Sequence, residues 1–282
     1  MAVLANMREL VRRPGSITPQ YGLFTVAQAM GTLSDQLPIH ARQGGVEYET
    51  AVCDQPVCFE TNCLADLGAK APGEPYDVIS GDPFVVLTSL LCGSVGMTDE
   101  GLRDKLRERA IAGEQMTVEE TFSTGVCGQA PSLANNTPAA TSLGAATNVV
   151  EAVSALEAAF YAGYGLPGVL HIPYAGSAFL MQAMQMYRDS AGVWRTPLGT
   201  YVSIGNYAGL SPAGVAPAAN TTWFYITGQV SIWRSPESDV FYSPLSAALN
   251  RSTNQVNGIR EREYIVTFEC AAFASNPTLD VV

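Results

Sequence analysis

Polar and apolar positions alternate strictly from Val46. Val46, Tyr48, Thr50 and Val52 fall on one face and Glu47, Glu49, Ala51 and Cys53 on the other, the period-two signature of a strand. Pro56 interrupts the pattern and "VCFETNC" resumes it. The Gly-, Pro- and Asp-rich stretch "LADLGAKAPGEPYDVISGDP" reads as a long excursion. The continuous apolar run "FVVLTSLLC" (84 to 92) reads as a buried or paired strand. Residues 1–45 mix short helical hints with turns and show no extended apolar stripe, so they read as an arm.

The period changes at "MTDEGLRDKLRERAIAGEQMTVEETFSTG". Thr98 is the expected N-cap, Asp99 and Glu100 put negative charge on the first turn, and Gly125 closes the helix. About 27 residues at 1.5 Å each predict a rod roughly 40 Å long. Leu102, Leu106 and Ala110 form one stripe and Ile111, Val118 and Phe122 another, which implies two packing partners.

After a linker of small and polar residues, a second helix is expected from about Thr147 to Ala162, with Val149, Val153, Leu156 and Phe160 on one side. "GVLHIP" reads as a strand, "SAFLMQAMQMYRD" as a third helix and "RTPLGTYVSIG" as a strand after a turn, an alternation that suits a compact α/β module. The end is β-rich: "TTWFYITGQVSIWR" is broken only by Gly228, and "REREYIVTFECAAFA" alternates Tyr264, Val266, Phe268 and Cys270 against Ile265, Thr267 and Glu269.

Composition narrows the function classes. The chain has 282 residues, 47% hydrophobic and 15% charged, enough to bury a core without metal or disulfide help. With 26 acidic against 15 basic residues and a net charge of −11, it lacks the clustered cations of a free DNA reader. The start carries no apolar core of signal-peptide length, so folding in a reducing compartment is expected and the sequons at Asn135, Asn220 and Asn250 read as chance matches. The most apolar stretch contains Glu151 and Glu157, which argues against a membrane span.

Catalytic chemistry finds little support. His40 and His171 are the only histidines, which excludes HExxH and C2H2 zinc sites. "GYGLPG" (163 to 168) fits G-x-G-x-x-G, but it follows a helix and precedes a strand, the reverse of a dinucleotide site, so it reads as a helix-ending turn. His171 reads as a core histidine. Cys53, Cys58 and Cys63 are evenly spaced without the close pairs zinc prefers. Metal ligation and cross-links between subunits stay open for them, but small buried hydrophobes is the reading adopted. No catalytic, cofactor-binding or metal residue is assigned. Arg8, Arg12 and Arg13, opposed only by Glu9, are either solvated charges or contacts to DNA or a neighbouring acidic surface.

The order of these segments resembles the major capsid protein of tailed phages, the Hong Kong 97-like fold, of the type found in phages of actinobacteria. "GVLHIPYAGSAFLM" is similar to that family's strand entering a Pro-headed helix, "RTPLGTYVSIG" to its apolar Gly-Pro strand, and "NGIREREYIVTFECAAFA" to its closing strand. The resemblance implies an α+β fold with an N-terminal arm (1–45), an extended E-loop hairpin (46–92), a peripheral domain with a long spine helix (93–130 and 222–282) and an α/β axial domain (131–221). It implies a non-enzymatic subunit, without cofactor, assembling into hexamers and pentamers of an icosahedral shell around double-stranded DNA. Assembly would take place in the host cytoplasm, with scaffold, portal and possible decoration proteins as partners, and the destination would be the virion. In some members an E-loop lysine cross-links to a neighbour; Lys70 lies in the corresponding stretch, without an assignable partner asparagine or catalytic glutamate.

Elementary physics agrees with that resemblance. A two-stranded excursion has no layer of its own against which to bury Val46, Tyr48, Val52, Val57 and Phe59. These five are therefore expected inter-subunit contacts, and the resemblance adds Lys70 to them. The alternatives are an encapsulin-type nanocompartment shell and an α/β ligand-binding enzyme using the Gly163 to Gly168 turn.

Overall fold

The structure, a computed structural model, describes residues 21–50, 53, 77–93, 98–236, 249–250, 252 and 255–280. The expected arm ends sooner than the sequence reading placed it. Leu23–Met30 forms helix α1, and Leu23, Val26 and Ala27 on one face of it are buried. Gly31 closes the helix at φ 75, a left-handed turn that glycine adopts freely. Phe24 stacks on Tyr264 at 6.1 Å. Strand β1 (Leu33–Ser34) and the short helix α2 (Ala41–Gly44) follow. Residues 21–45 thus belong to the folded body. Eight residues are too few for the stripe to stand out in the sequence.

Strands β2 (Val46–Thr50) and β3 (Asp77–Gly81) form an antiparallel pair, from Val46 opposite Gly81 to Thr50 opposite Asp77. Strand β4 (Phe84–Gly93) leaves this hairpin, a correction to the 46–92 reading: it pairs along ten residues with a late strand of the chain. Helix α3 (Asp99–Thr124) begins and ends as expected. Thr98 Oγ1 accepts from Gly101 N at 3.1 Å, and Gly125 at φ 72 donates to Thr121 O. Leu102 and Leu106 pack over Gly258, where a side chain would collide with them, while Val118 and Phe122 enter the main core. Ile111, placed in the second stripe, is instead 36% exposed.

The next elements are β5 (Thr141–Ala146), α4 (Val149–Tyr164), β6 (Val169–Pro173), α5 (Tyr174–Gln182), β7 (Tyr187–Arg188), β8 (Trp194–Arg195) and β9 (Tyr201–Gly205). Asn148 caps α4 by accepting from Glu151 N, and Val149, Val153, Leu156 and Phe160 are buried as the periodicity predicts. The third helix stops at Gln182, short of the predicted extent, and Met184 turns the chain at φ 53. The chain closes with β10 (Phe224–Thr227), β11 (Val230–Arg234), β12 (Leu249–Asn250), β13 (Gln255–Phe268) and β14 (Phe273–Pro277).

Two sheets result. The larger has the order β5-β14-β10-β6-β9-β8-β7, with α4 packed against β5, β10 and β14. Every residue of β6 and β10 is buried, as central strands covered on both faces must be. The smaller is built on β13, whose first part pairs with β4 and β12 and whose last part pairs with β11, itself parallel to β1. Each late apolar run therefore serves both sheets, a second correction: β10 and β14 join the sheet of the α/β module, so the 222 boundary does not separate the sheets. β10 crosses to β11 at Gly228, and β13 crosses to β14 at Glu269 and Cys270. Gly228 N donates to Glu269 O at 3.1 Å, and Glu269 N to Gln229 O at 3.0 Å. Gly228 has no side chain because the Glu269 carbonyl occupies that place.

Candidate assembly surface

Alternation along β4 and β13 gives their shared sheet two unlike faces. The even positions point toward α3, which packs on both strands, and Phe84, Gly258, Arg260 and Tyr264 are buried there. The odd positions face the other way. Over the last part of β13 this second face is covered by the chain's own hairpin: Tyr48 donates to or accepts from Thr267 Oγ1 at 3.1 Å and its ring lies 5.7 Å from that of Trp233. Val46 packs with Leu37, Ala41 and Ile265. Burial of Tyr48 raises the pKa of its phenol. Val46 and Tyr48, expected to reach a neighbouring subunit, make these contacts within the chain and are only partly buried by it. Val52, Val57, Phe59 and Lys70 lie outside the described residues, as do Arg8, Arg12 and Arg13.

Beyond the hairpin no described residue covers the continuation of the same face. Val85 is 51% exposed, Leu87 56% and Leu91 61%. The run 84 to 92 is apolar but for Thr88 and Ser89, although the described residues bury only one side of it. Glu263 stands opposite Val85 and Glu261 opposite Leu87, so carboxylates border the apolar stripe. β4 pairs with β13 alone among the described strands, and an apolar edge strand is a template for another chain. The run was read as a buried or paired strand; it is paired, and a strand apolar on both faces with one face open is a further signal in that run.

The cysteine reading needs correction. Cys53 is bonded to Cys270, with Cα atoms 5.3 Å apart, and is not a plain buried hydrophobe. Sequence spacing gave no hint, because the partners are 217 positions apart. Cys270 adopts φ 62 at the crossing between the sheets. Among the described residues Cys127 is a free, exposed thiol, and no group of three or more His, Cys, Asp or Glu is placed to hold a metal ion. Cys58 and Cys63 lie outside the described residues.

A buried carboxylate missed by the sequence reading joins three segments. Glu119 of α3 is fully buried and accepts from Leu23 N (2.9 Å), Asn206 N (2.8 Å) and Gln115 Nε2 (3.0 Å). Gly22, at φ 98, and Gly205 leave room for its carboxyl group. Desolvation outweighs these donors and pushes its pKa up to about 7. The clue was legible: Glu119 is four residues after Gln115 and three before Phe122, on the stripe predicted to be buried.

His171 is a core residue, as read. Its Nε2 lies 2.9 Å from Thr227 Oγ1 and its Nδ1 3.3 Å from Tyr207 Oη, and burial lowers its pKa to about 3. The unfolded chain takes up this proton near 6.5, so the stability tied to the neutral ring is complete above that pH and is lost as pH falls toward 3. Its size is on the order of 4–5 kcal/mol. His171→Leu is expected to flatten the acid limb of stability against pH, as measured by urea unfolding; an unchanged limb counts against the assignment. Tyr207 and Thr227 keep Ser203 and the Gly228 carbonyl as partners in that variant.

The "GYGLPG" turn ends α4, with Gly165 at φ 67 donating to Tyr161 O at 2.7 Å. It borders a cavity of about 440 Å³ whose walls include Phe160, Leu166, Leu198, Ile226 and Glu157. The helix presents its C-terminal, negative end there, and the lining holds no cation, both unfavourable to a pyrophosphate. No helix among the described residues is long and apolar enough to cross a membrane.

No family model and no curated protein matches this sequence. Among solved structures the chain is similar to the capsid of an empty GTA particle, at 13% identity and a TM-score of 0.55 over 98% of this chain and 96% of that one. It is also similar to a chain of Mycobacterium phage Ogopogo, at 15% identity and a TM-score of 0.50 over 98% and 100% of the two chains. A chain of Mycobacterium phage Bobi matches at 12% identity and a TM-score of 0.50 over 98% and 95%. These likenesses establish a shared α+β fold over nearly the whole length, the fold to which the order of segments in the sequence pointed.

Proposed function

We propose that this chain is a major capsid protein, a structural subunit that assembles into an icosahedral shell of hexamers and pentamers around phage double-stranded DNA. The observation that carries the reading is the end-to-end likeness to a GTA capsid chain, 98% of one against 96% of the other. The open stripe of Val85, Leu87 and Leu91 supports it, because a protein that works alone gains nothing from an apolar edge strand left in water. In this reading α3 and the β13 sheet form the peripheral domain, the sheet centred on β6 with α4 and α5 forms the axial domain, and the β2–β3 pair is the root of the E-loop. Val52, Val57, Phe59 and Lys70 then lie in the segment that reaches a neighbour. Arg8, Arg12 and Arg13 serve nonspecific contact with DNA or an adjoining subunit. Scaffold, portal and decoration proteins are the further partners, the virion is the location, and no catalysis or cofactor is involved.

Weak contacts suffice in a closed shell because each subunit is held several times. Leu87→Glu combined with Leu91→Glu is expected to keep the fold, since both side chains are exposed, and to cut particle yield at least roughly tenfold, equivalent to about 1.4 kcal/mol per association step. Light scattering and electron microscopy of the variant read the result; wild-type yield counts against this face as an interface.

A further inference from the structure

We propose that Cys53 and Cys270 form a reversible redox site, open to low-molecular-weight thiols and disulfides, that fixes the root of the 54–76 excursion to the crossing between the two sheets. Three placements support this. Cys53 follows β2 by three residues, on the segment leaving the hairpin. Cys270 lies where β13 passes into β14, beside the Gly228 crossing of the other late run. Both residues are only partly buried, and Cys270 helps to line a cleft of about 250 Å³ between β3 (Val78, Ile79, Ser80) and the loop carrying Pro131 and Pro138. In this proposal that cleft is the route for a small thiol, a route that a bond sealed in the core would lack.

The chemistry balances with a small-molecule disulfide as oxidant. The thiolate of one cysteine attacks RSSR, forming a mixed disulfide and releasing RS⁻, which takes up the first cysteine's proton. The second cysteine, as thiolate, attacks the protein sulfur of the mixed disulfide, closing Cys53–Cys270 and releasing a second RSH. Two thiols and RSSR become one protein disulfide and two RSH. Excess thiol runs the exchange backwards. In a reducing compartment the pair is open; on entering an oxidising medium the bond closes only if the β2–β3 hairpin is already docked on β13. The fold does the selecting, because 217 residues separate the partners.

The exchange itself does not need the shell reading, but its use as a post-assembly lock rests on it. The test is differential alkylation and peptide mapping of the full chain, after oxidised glutathione and again after reduced glutathione. The expected result is a Cys53–Cys270 linkage that shields both residues from alkylation more than tenfold relative to Cys127 and reverses with reduced glutathione. Cys53→Ser should accumulate a glutathione adduct on Cys270, and Cys127→Ser should leave the linkage unchanged. Pairing of Cys270 with another cysteine, or full alkylation of both after oxidation, overturns the proposal. Run on particles and on unassembled chain, the experiment also separates the two readings: pairing without particles removes only the shell, and particles without pairing remove only the redox site.

Discussion

Replacing residues 51–76 by a two-residue Asn-Gly turn leaves a folded chain that no longer forms closed particles. Thr50 and Asp77 are opposite one another in the ladder, so the two strands are in register for a tight type I′ connection. Val46 and Tyr48 keep their places against Ile265, Thr267 and Trp233, and thermal unfolding should move by only a few degrees relative to Cys53→Ser, which controls for the lost disulfide. What disappears is the segment carrying Val52, Val57, Phe59 and Lys70. A contact worth roughly 3 kcal/mol lowers each association constant about a hundredfold, and closure multiplies the loss over all the contacts a subunit makes. Size-exclusion chromatography with light scattering is the measurement. Closed particles at undiminished yield would show that the excursion is not the clasp.

Glu119 carries the second large effect. The folded protein keeps its proton up to about pH 7, whereas an ordinary glutamate releases it near 4.5. Between those values the native state binds more protons than the unfolded one, so this contribution is complete below about 4.5 and is lost as pH rises through about 7. The amount is on the order of 3 kcal/mol. His171 pulls the opposite way below 6.5, so the two oppose each other between about 4.5 and 6.5, and Glu119 shows most clearly in the difference between variants. Glu119→Gln should erase its share of the slope while costing roughly 1–3 kcal/mol, since the new amide faces a backbone donor it cannot accept from. Glu119→Leu, which strands Leu23 N, Asn206 N and the Gln115 amide, should cost roughly 3–6 kcal/mol. Urea midpoints at pH 5 and pH 8 decide; a Gln variant that keeps the full wild-type slope means the proton is held elsewhere.

What the chain revealed beforehand depended on how local the determinant was. Helix α3 was legible to its caps because Thr98, Gly125 and the Leu102 and Phe122 stripes lie within one segment. The burial of Val149, Val153, Leu156 and Phe160 on α4 was legible for the same reason. Where long-range pairing decides, periodicity had nothing to offer. "FVVLTSLLC" was a strand, but only the β13 pairing showed that Leu87 and Leu91 face outward. The Gly228 interruption stood in the sequence as a break in one apolar run and is a passage between two sheets. Cys270 looked like one more alternating strand residue and is the partner of Cys53. Val46 and Tyr48 were assigned to a neighbour because hydrophobic residues on a hairpin must be covered; part of that cover comes from the chain's own Trp233 and Ile265, which no spacing rule could bring to them.

Multiplicity is the central claim, so the most direct measurement is electron microscopy and light scattering of the purified full-length chain, produced alone and together with its neighbouring genes to supply a scaffold. Uniform closed particles, bounded by many copies of this chain, are the expected result in at least the second preparation. A chain that stays monomeric and well folded in both, with Val85, Leu87 and Leu91 still open to water, contradicts the account.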